Sequence, residues 1–170
     1  MRAQRAALSR GVSMGQGVRL GPKVTISASG GGSIRIADRV EIGALSSLVA
    51  DGGQIDIGSD TFISGSCVVA ARESVRIGRE VMVAEMVSVR DHDHDPDSPP
   101  RSGRMLIDSV DIGDRVWIGA KASIVRGTRI GSDAVVGTLS VARGDIAERT
   151  LVAGVPIRVI REVRRDDPPS

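Results

Sequence analysis

The chain has 170 residues, a formal net charge of +2 and an aromatic content of 1%. That length supports one domain with a real core, but the core must be built from Val, Ile, Leu and Ala. One cysteine, Cys67, excludes an internal disulfide framework and fits a reducing cytosol. Arginines spread along the chain with no aromatic stacking platform argue against nucleic acid as a partner.

The first residues, MRAQRAALSR, are basic but lack the apolar run of a signal peptide. No stretch reaches the ~18 apolar residues of a membrane span, so a cytoplasmic location is expected. Residues 1–16 are read as an N-terminal segment.

From residue 17 to 150 a repeat takes over. Leu20 and Ile26 begin it, and aliphatics recur six apart at Ile36, Ile42 and Leu48, at Ile57, Ile63 and Val69, and at Ile77, Val83 and Val89. A longer run follows at Ile112, Ile118, Ile124, Ile130 and Val136. Four residues after most of them stands a small or β-branched residue, such as Val40, Ser46, Thr61, Cys67, Ala122 or Thr128. A period of six fits neither an amphipathic helix nor an alternating strand. It fits a chain that turns a corner every six residues, three short strands closing a triangular coil of about eighteen residues. Gly43, Gly58, Gly65 and Gly131, with Asp38, Asp60, Asp114 and Asp133, are expected to supply positive φ at the corners.

Equivalent aliphatics at 36, 57 and 77 show small corner insertions, whereas the step from 77 to 112 is too long for one coil. The excess is the segment 91–109, DHDHDPDSPPRSGRMLIDS, which holds both histidines of the chain. A long loop ejected from a regular scaffold is where function is usually placed. Two histidines are too few for a three-histidine metal site, and a mixed site with Cys67 or an aspartate is weakly supported, so no metal is expected. A general base suits the loop better, because imidazole titrates near ~6.5 and can take the proton of an attacking hydroxyl. Cys67 falls at an inward position and reads as a small core residue.

The hexads and the stretch VDIGDRVWIGAKASIVRGTRIGSDAVVGTLSVARGDIAERTLVAGVPIRVI (110–160) resemble the hexapeptide-repeat acyltransferases, in the sugar O-acetyltransferase branch. The specific parts are VWIGA, the unbroken hexads after it, and AGVPIRVI. The resemblance implies an all-β fold, a left-handed parallel β-helix with an excursion loop and a short C-terminal helix or tail over 151–170. It implies acetyl-coenzyme A as donor, a sugar or glycoconjugate acceptor, direct transfer in a ternary complex, and a homotrimer with active sites between subunits. The loop also reads as too acidic to close on its own chain. Transfer of a longer acyl chain, an amine acceptor, or a non-catalytic β-helix subunit are the alternatives.

The resemblance also implies roles. Its catalytic histidine follows the last hexad aliphatic before the loop by five residues, which from Val89 selects His94 over His92 and leaves His92 to assist by hydrogen bonding or to serve as a plain loop residue. The N–H of Ala120 is the expected oxyanion donor. Trp117 would wall the acceptor or pantetheine channel, and Gly119, Ala120, Gly137 and Thr138 would line the pantetheine groove. Arg158 would meet the 3′-phosphate, with Arg143 or Arg161 assisting. Asp91, Asp93 or Glu85 would hold the imidazole or the acceptor, and the residues leave that choice open. Thr138-Leu139 and Ile157 depart from the family's usual smaller residues.

Overall fold

A computed structural model describes residues 10–99 and 101–164. Three parallel sheets form the walls of a left-handed β-helix of about six turns. The first sheet runs from Val12–Met14 through Ser33–Ile36, Gln54–Ile57, Ser74–Ile77 and Val110–Ile112 to Arg129–Ile130 and Asp145–Ile146. The second runs from Arg19–Leu20 to Thr150–Ala153, and the third from Thr25–Ser29 to Val141–Ala142. Each strand pairs with its equivalent one coil away, so Ile36, Ile57, Ile77, Ile112, Ile130 and Ile146 stack in one column.

This register explains a core without aromatic residues. Hexad aliphatics from Ile36 to Val136 are buried, as are Val40, Ser46, Thr61, Cys67, Ala122 and Thr128 four residues after them. The inward hydroxyls are satisfied locally: Ser46 donates to the carbonyl of Ser64 at 2.9 Å and Thr61 to that of Gly78 at 2.8 Å. Leu20 remains 42% exposed, because the terminal coil is covered on one side only.

Identical charges stacked in register would repel, and the outward column of the first sheet alternates instead. Arg35 pairs with Asp56 at 2.7 Å, Arg76 with Asp111 at 3.6 Å and Arg129 with Asp145 at 3.6 Å. A groove of about 1050 Å³ runs beside this ladder, but its charges already satisfy one another.

Several expectations need correction. Strand pairing is seen from Val12 onward. The C-terminal segment is not helical: Arg158–Glu162 folds back as an antiparallel strand on Thr150–Ala153. Arg161 therefore lies in a strand, while 165–170 fall outside the described residues. Positive φ occurs at Asp60 and Asp133 as expected, but at Arg39 and Arg115 rather than at the preceding aspartates. Asp38 and Asp114 instead cap the coil before them, accepting the N–H of Gln16 at 2.7 Å and of Arg79 at 2.9 Å. Gly43, Gly58, Gly65 and Gly131 do not take positive φ. At Gly58 the reason for glycine is close approach, since a Cβ there would sit 2.5 Å from the backbone of Gly78 in the next coil.

The described residues contain no helix, and so none long and apolar enough to cross a membrane.

Candidate active site

The excursion leaves at the corner between the third and first sheets. In the two preceding coils that corner is built alike. Ala50 and Ala71 pair in register, both buried, and a backbone carbonyl just after each receives the N–H that opens a first-sheet strand in the coil before. Ser33 donates to Gly53 at 2.9 Å and Gln54 to Glu73 at 3.0 Å. One coil later Asp91 takes the place after Arg90 that Ala71 takes after Ala70, and it is 0% exposed. Because the chain departs here, the N–H of Ser74 meets a side chain instead, the Oδ2 of Asp91 at 2.8 Å. The same carboxylate accepts the N–H of Glu73 at 2.7 Å and that of Arg72 at 2.9 and 3.0 Å.

His92 follows. Its Nδ1 lies 2.7 Å from the Oδ1 of Asp91, and its side chain is 13% exposed. The excursion is a closed antiparallel hairpin, His92–His94 on Met105–Ile107. Asp95 pairs with Arg104 at 3.2 Å, so the expectation that the loop is too acidic to close on its own chain is overturned. Asp108, at the hairpin's return, donates its N–H to the carbonyl of Asp91 at 2.9 Å. His94 sits farther out on the hairpin, exposed, with no side-chain partner among the described residues. Asp93 reaches Arg126 at 4.0 Å. Arg126 went unremarked in the sequence, yet extending the pairing of Val89 with Ile124 by two residues places it above Asp91.

The other expected site residues lie at a different corner, between the second and third sheets. Trp117 is 50% exposed on the outer face of the second sheet, paired with Met82 below and Val135 above. Beside it the coils approach closely: a Cβ on Gly119 would sit 2.6 Å from the N of Thr138, and one on Gly137 2.8 Å from the Cβ of Ala153. The carbonyl of Ala120 accepts from Leu139 at 2.9 Å, while its N–H donates to no acceptor among the described residues. Leu45, Met86 and Leu139, exposed by 54–65%, stand at equivalent places along this corner.

Arg158 pairs in register with Ala153 at the end of the second sheet, exposed and without a carboxylate partner among the described residues. Arg143 follows the last strand of the third sheet, at the hairpin's corner, so the two arginines are not brought together. Glu85 is exposed, and its carbonyl accepts the N–H of Lys121 at 2.9 Å. The chain thus joins His92 to Asp91 and Gly119 to Gly137, but leaves the imidazole and the two glycines at separate corners.

Cys67 is 1% exposed, its Sγ 3.1 Å from the carbonyl of Ala84, and burial pushes its thiol pKa up. A buried thiol of this kind is a poor nucleophile. Among the described residues no three His, Cys, Asp or Glu side chains converge as metal ligands.

Comparison with known proteins gives this architecture a family. Residues 109–138 match the sequence profile described as "Hexapeptide repeat of succinyl-transferase". The chain is 34% identical to the putative lipopolysaccharide biosynthesis O-acetyl transferase WbbJ of Escherichia coli K12, over 79% of this chain and 74% of that protein. It is 33% identical to the galactoside O-acetyltransferase of Escherichia coli K12 over 68% of this chain, which spans 58% of that longer enzyme. The solved structure of a galactoside acetyltransferase in complex with coenzyme A superposes with a TM-score of 0.68 at 27% identity, covering 89% of this chain and 64% of that one. The chain belongs to the hexapeptide-repeat acyltransferases.

Proposed function

We propose that the protein moves the acetyl group of acetyl-coenzyme A to a hydroxyl of a sugar or glycoconjugate, with His92 as general base. The observation that carries this reading is the seating of His92. Of the two imidazoles only this one is largely buried and engaged at Nδ1, which leaves Nε2 to face a substrate. The resemblance, by its count of five from Val89, points to His94 instead, but that side chain stands exposed and has no partner among the described residues, and this favours His92. The names of the relatives, an O-acetyl transferase of lipopolysaccharide biosynthesis and a galactoside O-acetyltransferase, support a sugar hydroxyl as acceptor.

The corner after Trp117 suits a pantetheine arm, since the N–H of Ala120 donates to no acceptor among the described residues there. The guanidinium of Arg158, without a carboxylate partner among the described residues, suits the 3′-phosphate. In the reaction the acceptor oxygen attacks the thioester carbonyl while Nε2 of His92 takes the hydroxyl proton. The oxyanion of the tetrahedral intermediate is held by the N–H of Ala120, a donor fixed before the reaction begins. Collapse breaks the C–S bond, the acetyl ester remains on the acceptor, and the imidazolium returns its proton to the departing thiolate.

The imidazole and the corner after Trp117 lie at different corners of the β-helix, which supports a complete site assembled from two copies in a homotrimer. The apolar column of Phe62, Met82 and Trp117 with Leu45, Met86 and Leu139 supports a subunit contact on that side. A panel of sugars, oligosaccharides and nucleotide sugars, read by release of free thiol from acetyl-coenzyme A, tests the reading. Turnover with a hydroxyl acceptor is expected, and transfer only to amines would contradict it. A stable monomer by light scattering at micromolar concentration would contradict the assembly.

A further inference from the structure

We infer that Asp91 is a positioning residue that fixes the tautomer of His92, and that the coil beneath holds it in place for that task. The inference rests on the reading of His92 as the base. A carboxylate in a column otherwise filled by Ala50 and Ala71 is not needed for packing. Three main-chain N–H groups, from Arg72, Glu73 and Ser74, converge on its two oxygens. Main-chain N–H groups can only donate, so the carboxylate acts there as an acceptor and cannot rotate without breaking several contacts. Its Oδ1 is thereby aimed at Nδ1 of His92 at 2.7 Å. An acceptor at that position requires the neutral imidazole to carry its proton on Nδ1, leaving a lone pair on Nε2. The base is ready before substrate arrives.

The arrangement makes an isosteric change informative. In Asp91→Asn the amide has one acceptor oxygen. The donors of Glu73 and Ser74 converge on the Oδ2 position, so the amide oxygen belongs there and the NH₂ is turned toward Nδ1. An NH₂ group can only donate, so the imidazole must accept at Nδ1 and move its proton to Nε2. A ring protonated at Nε2 cannot take a proton there, and a comparable tautomer error in a serine protease lowers turnover by about 10⁴.

The chain has two histidines, so His94→Ala leaves one imidazole to read by nitrogen NMR of ¹⁵N-histidine-labelled protein. In that background the neutral ring is expected to be protonated at Nδ1. Adding Asp91→Asn is expected to move the proton to Nε2 and to lower thiol release from acetyl-coenzyme A by at least about 10²-fold, with coenzyme affinity unchanged. A ring already protonated at Nε2 with Asp91 intact overturns the proposal, even if the asparagine variant fails to fold. So does a tautomer that ignores the substitution. A switched tautomer with unchanged turnover upholds the contact and overturns His92 as the base.

Discussion

The corner after the third sheet is built in two ways, and the contrast locates the chemistry. At Ala50 and Ala71 the coil continues, a small side chain fills the interior, and the main-chain carbonyls of Gly53 and Glu73 just after them receive the N–H groups of Ser33 and Gln54 from the coil before. At Asp91 the coil is interrupted, and a buried carboxylate takes over the role of the missing carbonyl. One side chain therefore closes the gap left by the hairpin and seats the imidazole that follows it. The same carboxylate one coil earlier would find no such need.

That difference can be broken directly. Ala71→Asp places a carboxylate where Gln54 has already donated its N–H to Glu73 at 3.0 Å. A buried charge without donors is expected to cost about 3–5 kcal/mol, a large share of a domain's stability. Denaturant unfolding should show this loss, and an Ala71→Asp chain as stable as wild type would mean that the corner at Asp91 is not special.

A smaller effect is expected at the other corner. Arg158→Ala should raise the KM for acetyl-coenzyme A by about tenfold, the scale of one charge-assisted contact, and leave the dephospho donor unaffected. Equal losses with both donors would remove Arg158 from the phosphate. The smallest effect concerns the regular wall. The main-chain N–H of Arg79, and then its guanidinium, hold the carboxyl of Asp114 below the usual range. A depressed folded-state pKa adds stability that is complete well above about pH 4, the unfolded value, and is lost as pH falls through the folded value. Asp114→Asn should therefore lower Tm slightly at pH 7 and converge on wild type below about pH 3. A Tm difference that persists at that pH would assign the effect to packing rather than charge.

The solenoid was legible because burial in a stacked coil imposes a strict period, and residues as dissimilar as Cys67, Thr128 and Ala122 obey it. The length of the step from Ile77 to Ile112 likewise exposed the excursion. What the sequence concealed depends on contacts between coils. Asp91 stands in a cluster of aspartates, and nothing in DHDHDPD marks one of them as turned inward. That depends on donors at Arg72 to Ser74, nearly twenty residues earlier. The strand Arg158–Glu162 was hidden for a similar reason: a charged segment read as a helix or tail becomes a strand when the free edge of Thr150–Ala153 pairs with it. Glycines at the corners suggested positive φ, while Gly58 answers to the backbone of the next coil.

The central claim is that transfer depends on the imidazole seated against Asp91, and the two histidines provide the comparison. His92→Ala and His94→Ala should bind acetyl-coenzyme A as wild type does, measured by calorimetry. In thiol release with an accepted sugar, His92→Ala should lose about 10²–10⁴ in kcat, and His94→Ala less than about tenfold. The reverse order, with His94→Ala inactive and His92→Ala active, would contradict the account.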